Sequence, residues 1–348
     1  MRFSTPILLL TLLLAGCGHT PQRETIPAAL PPFPAENGVT QKRAEELKKI
    51  LAPFPIRGTA LFPAAFPPEG QFSDDVIFKA IRQCGFNRVY CHITSEQELN
   101  DRLRHFLAAA SAAGFPVEIV ISQIDYYRRY HANQLIRWAL IQYPDLVKAA
   151  ELVTEFNESL PEDHRFAGIT VHIAPDVCDG KNVERMYGRI YRWQENRYGK
   201  GGDNDMLMRE AFADLRKIAA IEKLPRLTIA FQDFYHEKAR EGELSVGTVK
   251  DFAAISKRLT IVNTANLPSR ISKNIADELE DAPADVRITA TIPLAHHTSV
   301  DTARLRRRNW ADFIRAIAAA TSVSGKDDNF RGVVIAPFAV VEYMRLEK

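Results

Sequence analysis

Two aspartates are candidates for the acidic residues of a hydrolytic site. Asp176 and Asp233 each follow directly after an apolar run with the pattern of a buried strand. Cleavage of a glycosidic bond needs two carboxyl groups, a protonated acid and a base or nucleophile, roughly 5–5.5 Å apart for retention and 6.5–9.5 Å for inversion. We therefore predict Asp176 and Asp233 as a catalytic pair. The competing interpretation is structural, with each aspartate in an Asx-turn or beside an arginine.

Further polar side chains follow the other predicted strands. Because the carboxyl ends of the strands meet at one end of an α/β barrel, such side chains are expected to line a common cleft. We predict these residues to bind substrate: His92, Gln123, His172, Gln232, Tyr235, Asn263 and His296.

Aromatic residues are concentrated after the third and fourth predicted strands. Tyr191 and Trp193 lie in a segment that also carries Arg192, a composition suited to a polar sugar. Aromatic rings stack on the apolar faces of sugars while polar groups meet the hydroxyls. We predict that Tyr191 and Trp193 contact a carbohydrate ligand and that residues 176–205 form one wall of the cleft. The alternative is that these rings pack in the core.

The elements that must position these residues alternate between strands and helices from residue 54 onward. Strands are predicted at 57–62, 88–93, 117–122, within 166–176, and at 226–231, 259–263, 286–291 and 331–336. Helices are predicted at 40–51, 74–84, 96–113, 145–160, 207–221, 249–258, 270–279 and 310–323. This order predicts a (β/α)8 barrel of the TIM type, with an open doubly wound sheet as the alternative. No Gly-x-Gly-x-x-Gly follows the first strand, which disfavours a dinucleotide fold, and we predict no cofactor.

The stretch from Phe166 to Asp176 reads Phe-Ala-Gly-Ile-Thr-Val-His-Ile-Ala-Pro-Asp. It resembles a strand of glycosidase-like (β/α)8 barrels, the chitinase-type enzymes and their bacterial lipoprotein relatives, with the approximate pattern Phe-Asp-Gly-Ile-x-x-Asp-x-Glu-Pro. The apolar frame is present in Phe166, Gly168, Ile169 and Pro175. The expected carboxylates are replaced by Ala167, His172 and Ala174.

The resemblance extends loosely over residues 54–348 and implies a barrel whose site lies at the carboxyl ends of the strands. It also implies a carbohydrate as ligand or substrate, with a catalytic centre that has lost its usual acids. Asp176 lies two residues beyond Ala174, a displacement of about 6–7 Å along an extended chain. We therefore expect either shifted chemistry or binding without turnover.

The N-terminus has the features of a bacterial lipoprotein signal. A basic start precedes the apolar run Ile7 to Leu14, and Leu14-Ala15-Gly16-Cys17 fits a lipobox. We predict a signal peptide over residues 1–16, a lipidated Cys17 with a Pro-rich tether and a short helix over 17–53, and the barrel over 54–348. The expected location is the cell envelope, at the outer membrane in a Gram-negative host because Gly18 follows the cysteine. The alternative is a plain secretory signal.

Bulk composition excludes several other classes. The formal net charge is +2, with 45 basic and 43 acidic residues, so no nucleic-acid footprint is present. Apart from Cys17, the cysteines number three, namely Cys84, Cys91 and Cys178, without zinc-type spacing. A zinc site built from His92, His172, His296 and Asp233 is an alternative that we do not favour, and we predict no metal. A lipoprotein with a purely structural or interaction role in the envelope is the alternative from a different class.

Overall fold

The structure is a computed structural model that describes residues 38–61, 74–93, 96–122, 146–177, 198–263, 268–292, 310–323 and 327–335. The predictions that concern Cys17, Gln123, Tyr191, Trp193 and His296 lie outside these ranges, as do the signal peptide and the tether. In the described ranges, every helix is too short or too polar to cross a lipid bilayer.

Eight parallel strands form a closed barrel in sequence order, with β8 paired to β1. They are β1 (Ile56–Leu61), β2 (Arg88–His92), β3 (Val117–Ser122), β4 (Gly168–His172), β5 (Leu227–Gln232), β6 (Arg258–Val262), β7 (Arg287–Ile292) and β8 (Phe330–Ile335). The predicted barrel is confirmed, and the open sheet is excluded because the two edge strands pair with each other. Most strand boundaries differ from the predicted ones by a residue or two.

Helices surround the barrel on its outer side. They are α1 (Gly38–Leu51), α2 (Asp74–Gln83), α3 (Asp101–Ala112), α4 (Leu146–Glu158), α5 (Asp203–Ala219), α6 (Asp233–Arg240), α7 (Val249–Ala253), α8 (Pro268–Glu280) and α9 (Trp310–Thr321). The helix α6 was not predicted, and it begins at the proposed catalytic Asp233 without an intervening loop. The helix predicted over 249–258 was too long, because Arg258 is already the first residue of β6.

Two local signals explain other differences from the predicted boundaries. The helix predicted over 96–113 is divided into a short 3₁₀ turn at Glu96–Glu98 and α3, because the side chain of Asn100 caps the nitrogen of Leu103 at 3.2 Å. The helix predicted to begin at residue 207 begins at Asp203, where two acidic residues occupy the first turn.

The apolar core lies between the strands and the helices. Side chains that point outward from the strands, such as Ile119, Val171 and Ile261, are buried in this layer together with the apolar faces of the helices. The two described cysteines, Cys84 and Cys91, are buried here as free thiols, and burial raises the pKa of Cys84 to about 12. Both behave as small core residues, whereas Cys178 lies outside the described ranges.

The side chains that point into the barrel form separate layers. A small apolar cluster of Ala60, Tyr90, Val120 and Val334 fills the middle. Towards the N-terminal ends of the strands, the fully buried Glu118 binds Arg88 at 2.5 Å and also binds Arg258. We call the residues at this end the floor; they are Arg88, Glu118 and Arg258, which contact one another, together with Arg226 and Arg287, which strand alternation places on the same side.

Two threonines complete the hydrogen bonding of Glu118. The hydroxyl of Thr170 donates to the Glu118 carboxylate at 3.0 Å, and that of Thr228 donates at 3.4 Å. A buried carboxylate is tolerated only when its oxygens are paired and hydrogen-bonded. The floor is therefore a connected polar network that links β2, β3, β4, β5 and β6.

Candidate functional site

Four polar residues of the described ranges lie together at the C-terminal ends of adjacent strands. His92, Ser122, His172 and Gln232 are the last residues of β2, β3, β4 and β5. By strand alternation they share the inward side with Tyr90, Glu118, Thr170 and Thr228, which the contacts above place inside the barrel. We call these side chains the mouth. Asn263 follows β6 directly after Val262, which alternation places on the inward side, so Asn263 lies at the rim of the mouth.

His172 and Ser122 form a pair on neighbouring strands. Ser122 Oγ lies 3.0 Å from His172 Nδ1, and both side chains are buried. Their positions are fixed by the register, which pairs Ser122 directly with His172. This hydrogen bond holds the imidazole ring in one orientation, so that Ser122 acts as a support for His172.

Gln232 and Asn263 place amide groups at the ends of the next two strands. Asn263 donates from Nδ2 to the Thr291 carbonyl at 3.1 Å, and its backbone N–H donates to Thr291 Oγ1 at 3.2 Å. The side-chain oxygens Gln232 Oε1 and Asn263 Oδ1 are buried, and neither has a hydrogen-bond partner among the described residues. Buried acceptors without a donor cost roughly 1–3 kcal/mol each, so a donor brought by a ligand would be favourable here.

Asp176 is held by a residue from the next βα unit. It lies in the 3₁₀ turn Pro175–Val177 that follows β4, and the Tyr235 hydroxyl donates a hydrogen bond to its Oδ1. Tyr235 is fully buried, so that its ring belongs to the core and its hydroxyl reaches Asp176. Tyr235 therefore contributes to the mouth by positioning Asp176.

Asp233 is anchored on the helix side of the barrel end. Its Oδ1 accepts from the Phe234 backbone N–H at 3.0 Å, and its Oδ2 accepts from Asn274 Nδ2 on α8. Asp233 follows the inward-pointing Gln232, so alternation directs it towards the helices. The assignment of Asp176 and Asp233 as a catalytic pair remains a prediction. The structure adds that both carboxylates are held by hydrogen-bond donors.

A buried acidic group lies behind Asp233, between α6 and α8. Glu278 is 2% exposed, and burial together with the nearby charge of Asp233 raises its pKa well above the ordinary range. Its Oε2 lies 3.8 Å from Nδ1 of the buried His236, whose own pKa is lowered by burial. His236 Nδ1 accepts from the Val249 N–H at 3.2 Å, so its proton is on Nε2, 3.4 Å from Asp281 Oδ2.

We expect Glu278→Gln to stabilise the protein at neutral and mildly alkaline pH. The native carboxyl holds its proton above the ordinary pKa of about 4.3, whereas the unfolded chain releases it. The wild-type free energy of unfolding should therefore fall as pH rises from that value through the native pKa, and the glutamine variant should lack this fall. The expected gain is on the order of 1 kcal/mol or more at pH 8.

Urea titrations of both proteins between pH 5 and pH 8 measure this difference. Glu280→Gln, which changes an exposed glutamate on the same helix, is the control and should leave the slope unchanged. Parallel pH profiles for wild type and Glu278→Gln would show that Glu278 is ionised in the folded protein.

Sequence reasoning did not select several residues that organise the site. Asn274 and Glu278 lie on α8, more than 40 residues after Asp233 in the chain, and no local pattern connects them with it. Glu118 had a usable signal, since it is the one charged residue of the strand Val117–Ser122. Among the described residues, no group of three or more His, Cys, Asp or Glu is arranged to hold a metal ion. His296 of the alternative zinc site lies outside those residues.

No protein-family model and no curated protein matches the chain. Solved structures with a similar fold include a putative lyase/mutase from Burkholderia cenocepacia (TM-score 0.41, 11% identity, covering 88% of this chain and 84% of that one). A xylanase from Thermoanaerobacterium saccharolyticum has a TM-score of 0.40 and 11% identity, over 84% of this chain and 88% of that one. A family 1 β-glucosidase from Thermotoga maritima has a TM-score of 0.37 and 12% identity, over 75% of each chain.

The structural similarity and sequence identity are too low to carry an argument about activity. The three solved structures also have names that refer to different reactions. The closed strand order defines the class of this protein by itself: it is a (β/α)8 barrel with a polar mouth at the C-terminal ends of its strands.

Proposed function

We propose that the mouth binds a carbohydrate and that the protein does so outside the cytoplasm, anchored to a membrane by lipid on Cys17. The observation that carries this proposal is the buried amide oxygen Gln232 Oε1, which lies on the inward side of β5 without a donor in the described residues. Asn263 Oδ1, at the rim, is a second buried acceptor without a donor there. Sugar hydroxyls donate to such acceptors and also accept from neighbouring groups.

The charge of the mouth agrees with a ligand rich in hydroxyl groups. Its inward side chains in the described residues are an amide, imidazoles and a hydroxyl, and the Asp176 carboxylate follows in the turn after β4; all of these groups form hydrogen bonds with hydroxyls. A site built to bond hydroxyls discriminates strongly against analogues that lack them, because its buried polar groups are then left unpaired. Tyr191 and Trp193 are proposed to supply the stacking surface for the sugar ring.

We expect Gln232→Leu to weaken carbohydrate binding about tenfold, a change of about 1.4 kcal/mol, because the ligand loses one buried acceptor. Isothermal titration of the full chain with a panel of neutral oligosaccharides measures the affinity. Thr260→Val is the matched control, since Thr260 is also buried inside the barrel but bonds Thr289 at 2.9 Å below the mouth. Equal losses in both variants would show that the change acts through folding.

Trp193→Ala is expected to reduce carbohydrate affinity in the same titration.

Hydrolysis of the bound glycan is the second candidate function. One observation favours it: Asp176 and Asp233 follow the adjacent strands β4 and β5, and Tyr235 joins the turn of the first to the helix of the second. With Asp176 and Asp233 as the two carboxyl groups, Asp176→Asn and Asp233→Asn should each abolish turnover of a glycan while affinity is retained. Wild-type rates in both variants would contradict the catalytic assignment.

Anchoring at Cys17 is proposed from the lipobox and has its own test. Cys17→Ser should prevent incorporation of labelled palmitate and should release the protein from the membrane fraction. Unchanged labelling would show that Cys17 is not the lipidated residue. A non-enzymatic structural or interaction role in the envelope is the alternative if the mouth binds no ligand.

A further inference from the structure

Three consecutive strands begin with the same short pattern. Arg226-Leu-Thr, Arg258-Leu-Thr and Arg287-Ile-Thr occur at the N-terminal ends of β5, β6 and β7. The threonines, Thr228, Thr260 and Thr289, are all buried. Thr228 bonds the interior Glu118, and Thr260 bonds Thr289 across the β6–β7 pair.

The three arginines lie at the N-terminal end of the barrel, where the register pairs Arg258 with Arg287 and puts Arg226 two residues further out than Arg258. Each arginine precedes its threonine by two residues and therefore shares its inward side. Arg258 is paired directly with Arg287 in the β6–β7 ladder, where neighbouring strands lie about 4.8 Å apart. Arg226 precedes β5 by one residue, and its carbonyl accepts from the backbone N–H of Ile169 at 3.0 Å.

A glycine makes room for the central arginine of this group. A Cβ at Gly168 would lie 3.3 Å from Arg258 Nη1 and 2.7 Å from the Arg226 carbonyl. The Arg258 guanidinium thus crosses the face of Gly168 to reach Glu118. This contact places both Arg226 and Arg258 beside the same strand, β4.

The charges at the floor are not balanced. Glu118 is shared by Arg88 and Arg258, whose side chains keep 22% and 21% exposure. Arg226 and Arg287 are exposed and form no ion pair within the described residues. Two nearby acids are bound by lysines: Lys257 contacts Asp285 at 3.0 Å, and Lys223 contacts Glu158, the last residue of α4, at 3.2 Å.

We propose that Arg226, Arg258 and Arg287 bind an oxyanion of the phosphate or sulfate class at the floor, at the opposite end of the barrel from the mouth. Arginine offers a planar fork of N–H donors that matches such oxygens in pairs. The anion relieves the repulsion between three neighbouring guanidiniums, which Glu118 neutralises only in part. The same chemistry is offered by a free phosphate and by an anionic lipid headgroup. This site does not depend on the carbohydrate proposal.

The test compares two double variants of the full chain at low ionic strength. Arg226→Gln/Arg287→Gln removes the exposed arginines of the floor and leaves the buried pair of Glu118 with Arg258 intact. Arg216→Gln/Arg270→Gln removes two exposed arginines from α5 and α8 and is the control for equal loss of charge. Inorganic pyrophosphate, measured by calorimetry, is the free anion, and vesicles with phosphatidylglycerol, compared with pure phosphatidylcholine, present the headgroup.

For the free anion, we expect saturable pyrophosphate binding that the control keeps and the floor variant weakens about tenfold, or about 1.4 kcal/mol. For the headgroup, we expect preferential binding to the anionic vesicles that only the floor variant loses. Both interactions should weaken as salt is added. If the glutamine variant does not fold, Arg226→Lys/Arg287→Lys keeps the charge and should still bind more weakly. Binding to neither probe, or equal loss in both double variants, would overturn the proposal.

Discussion

Glu118→Gln is expected to lower the free energy of unfolding by about 3 kcal/mol, because it removes the counter-charge of two arginines inside the barrel. Glu118 is fully buried and contacts Arg88 and Arg258, and two threonine hydroxyls donate to it as well. Breaking a buried ion pair by removing one partner costs roughly 3–5 kcal/mol. The lower end applies here, since both arginines keep about a fifth of their side chains exposed and retain some hydration.

Equilibrium unfolding in urea measures this loss, with the midpoint and slope compared between variants. Glu151→Gln is the control, because Glu151 is an exposed glutamate on α4 and its change should stay within about 0.5 kcal/mol. A Glu118→Gln protein as stable as the control would show that the floor network does not hold the strands together. The double variant Glu118→Gln/Arg88→Gln should recover part of the loss if the penalty comes from unpaired charge.

Gly332→Ala is expected to be more damaging still, with a loss of at least about 4 kcal/mol, and to prevent closure of the barrel. Gly332 has φ +148, a conformation that residues with a Cβ rarely adopt, and an added Cβ would lie 1.8 Å from the Ile56 carbonyl oxygen. Ile56 is its register partner on β1. The clash is with backbone, so no side-chain movement relieves it. On the other side of β8, the ladder with β7 is irregular next to Gly332.

Soluble yield and thermal unfolding of Gly332→Ala give the measurement. Gly199→Ala is the control, since nothing lies within 4 Å of the Cβ that it would add and its φ is not in the restricted region. Cooperative unfolding of Gly332→Ala near the wild-type temperature would contradict the geometry of the β1–β8 seam.

The barrel could be predicted because its signal is repeated eight times along the chain. Short apolar runs alternate with amphipathic segments, and a strand such as Val117–Ser122 has the same bounds in the prediction and in the structure. Boundaries failed where a single side chain decides them, as at Asn100, whose local cap on Leu103 starts α3 five residues later than predicted. The helix α6 was missed because it begins at Asp233 with no turn residues between strand and helix.

The candidate site was only partly predictable, because the partners of its residues are distant in the sequence. Position at a strand end places His92, His172 and Gln232 at the mouth, because inward and outward sides alternate along a strand. The same rule turns Asp233 away towards α8, a consequence that follows from its position next to Gln232. The partners of these residues lie far apart in sequence, as Tyr235 and Asp176 do, and only the fold brings them together.

The two ends of the barrel carry different chemistry, and this difference follows from the strand sequences. The floor has arginines around one shared glutamate, whereas the mouth has amides, imidazoles and a hydroxyl, with the Asp176 carboxylate in the turn after β4. An anion and a neutral sugar are therefore expected at opposite ends. The floor variant Arg226→Gln/Arg287→Gln should leave carbohydrate affinity unchanged, which separates the two proposals.

The most direct test of the proposed function is calorimetric titration of the wild-type chain and the Gln232→Leu variant with a broad panel of neutral oligosaccharides. The polar mouth predicts saturable binding of at least one glycan, with affinity reduced in the variant. A flat titration across the whole panel, from a wild-type protein that unfolds cooperatively, would contradict it.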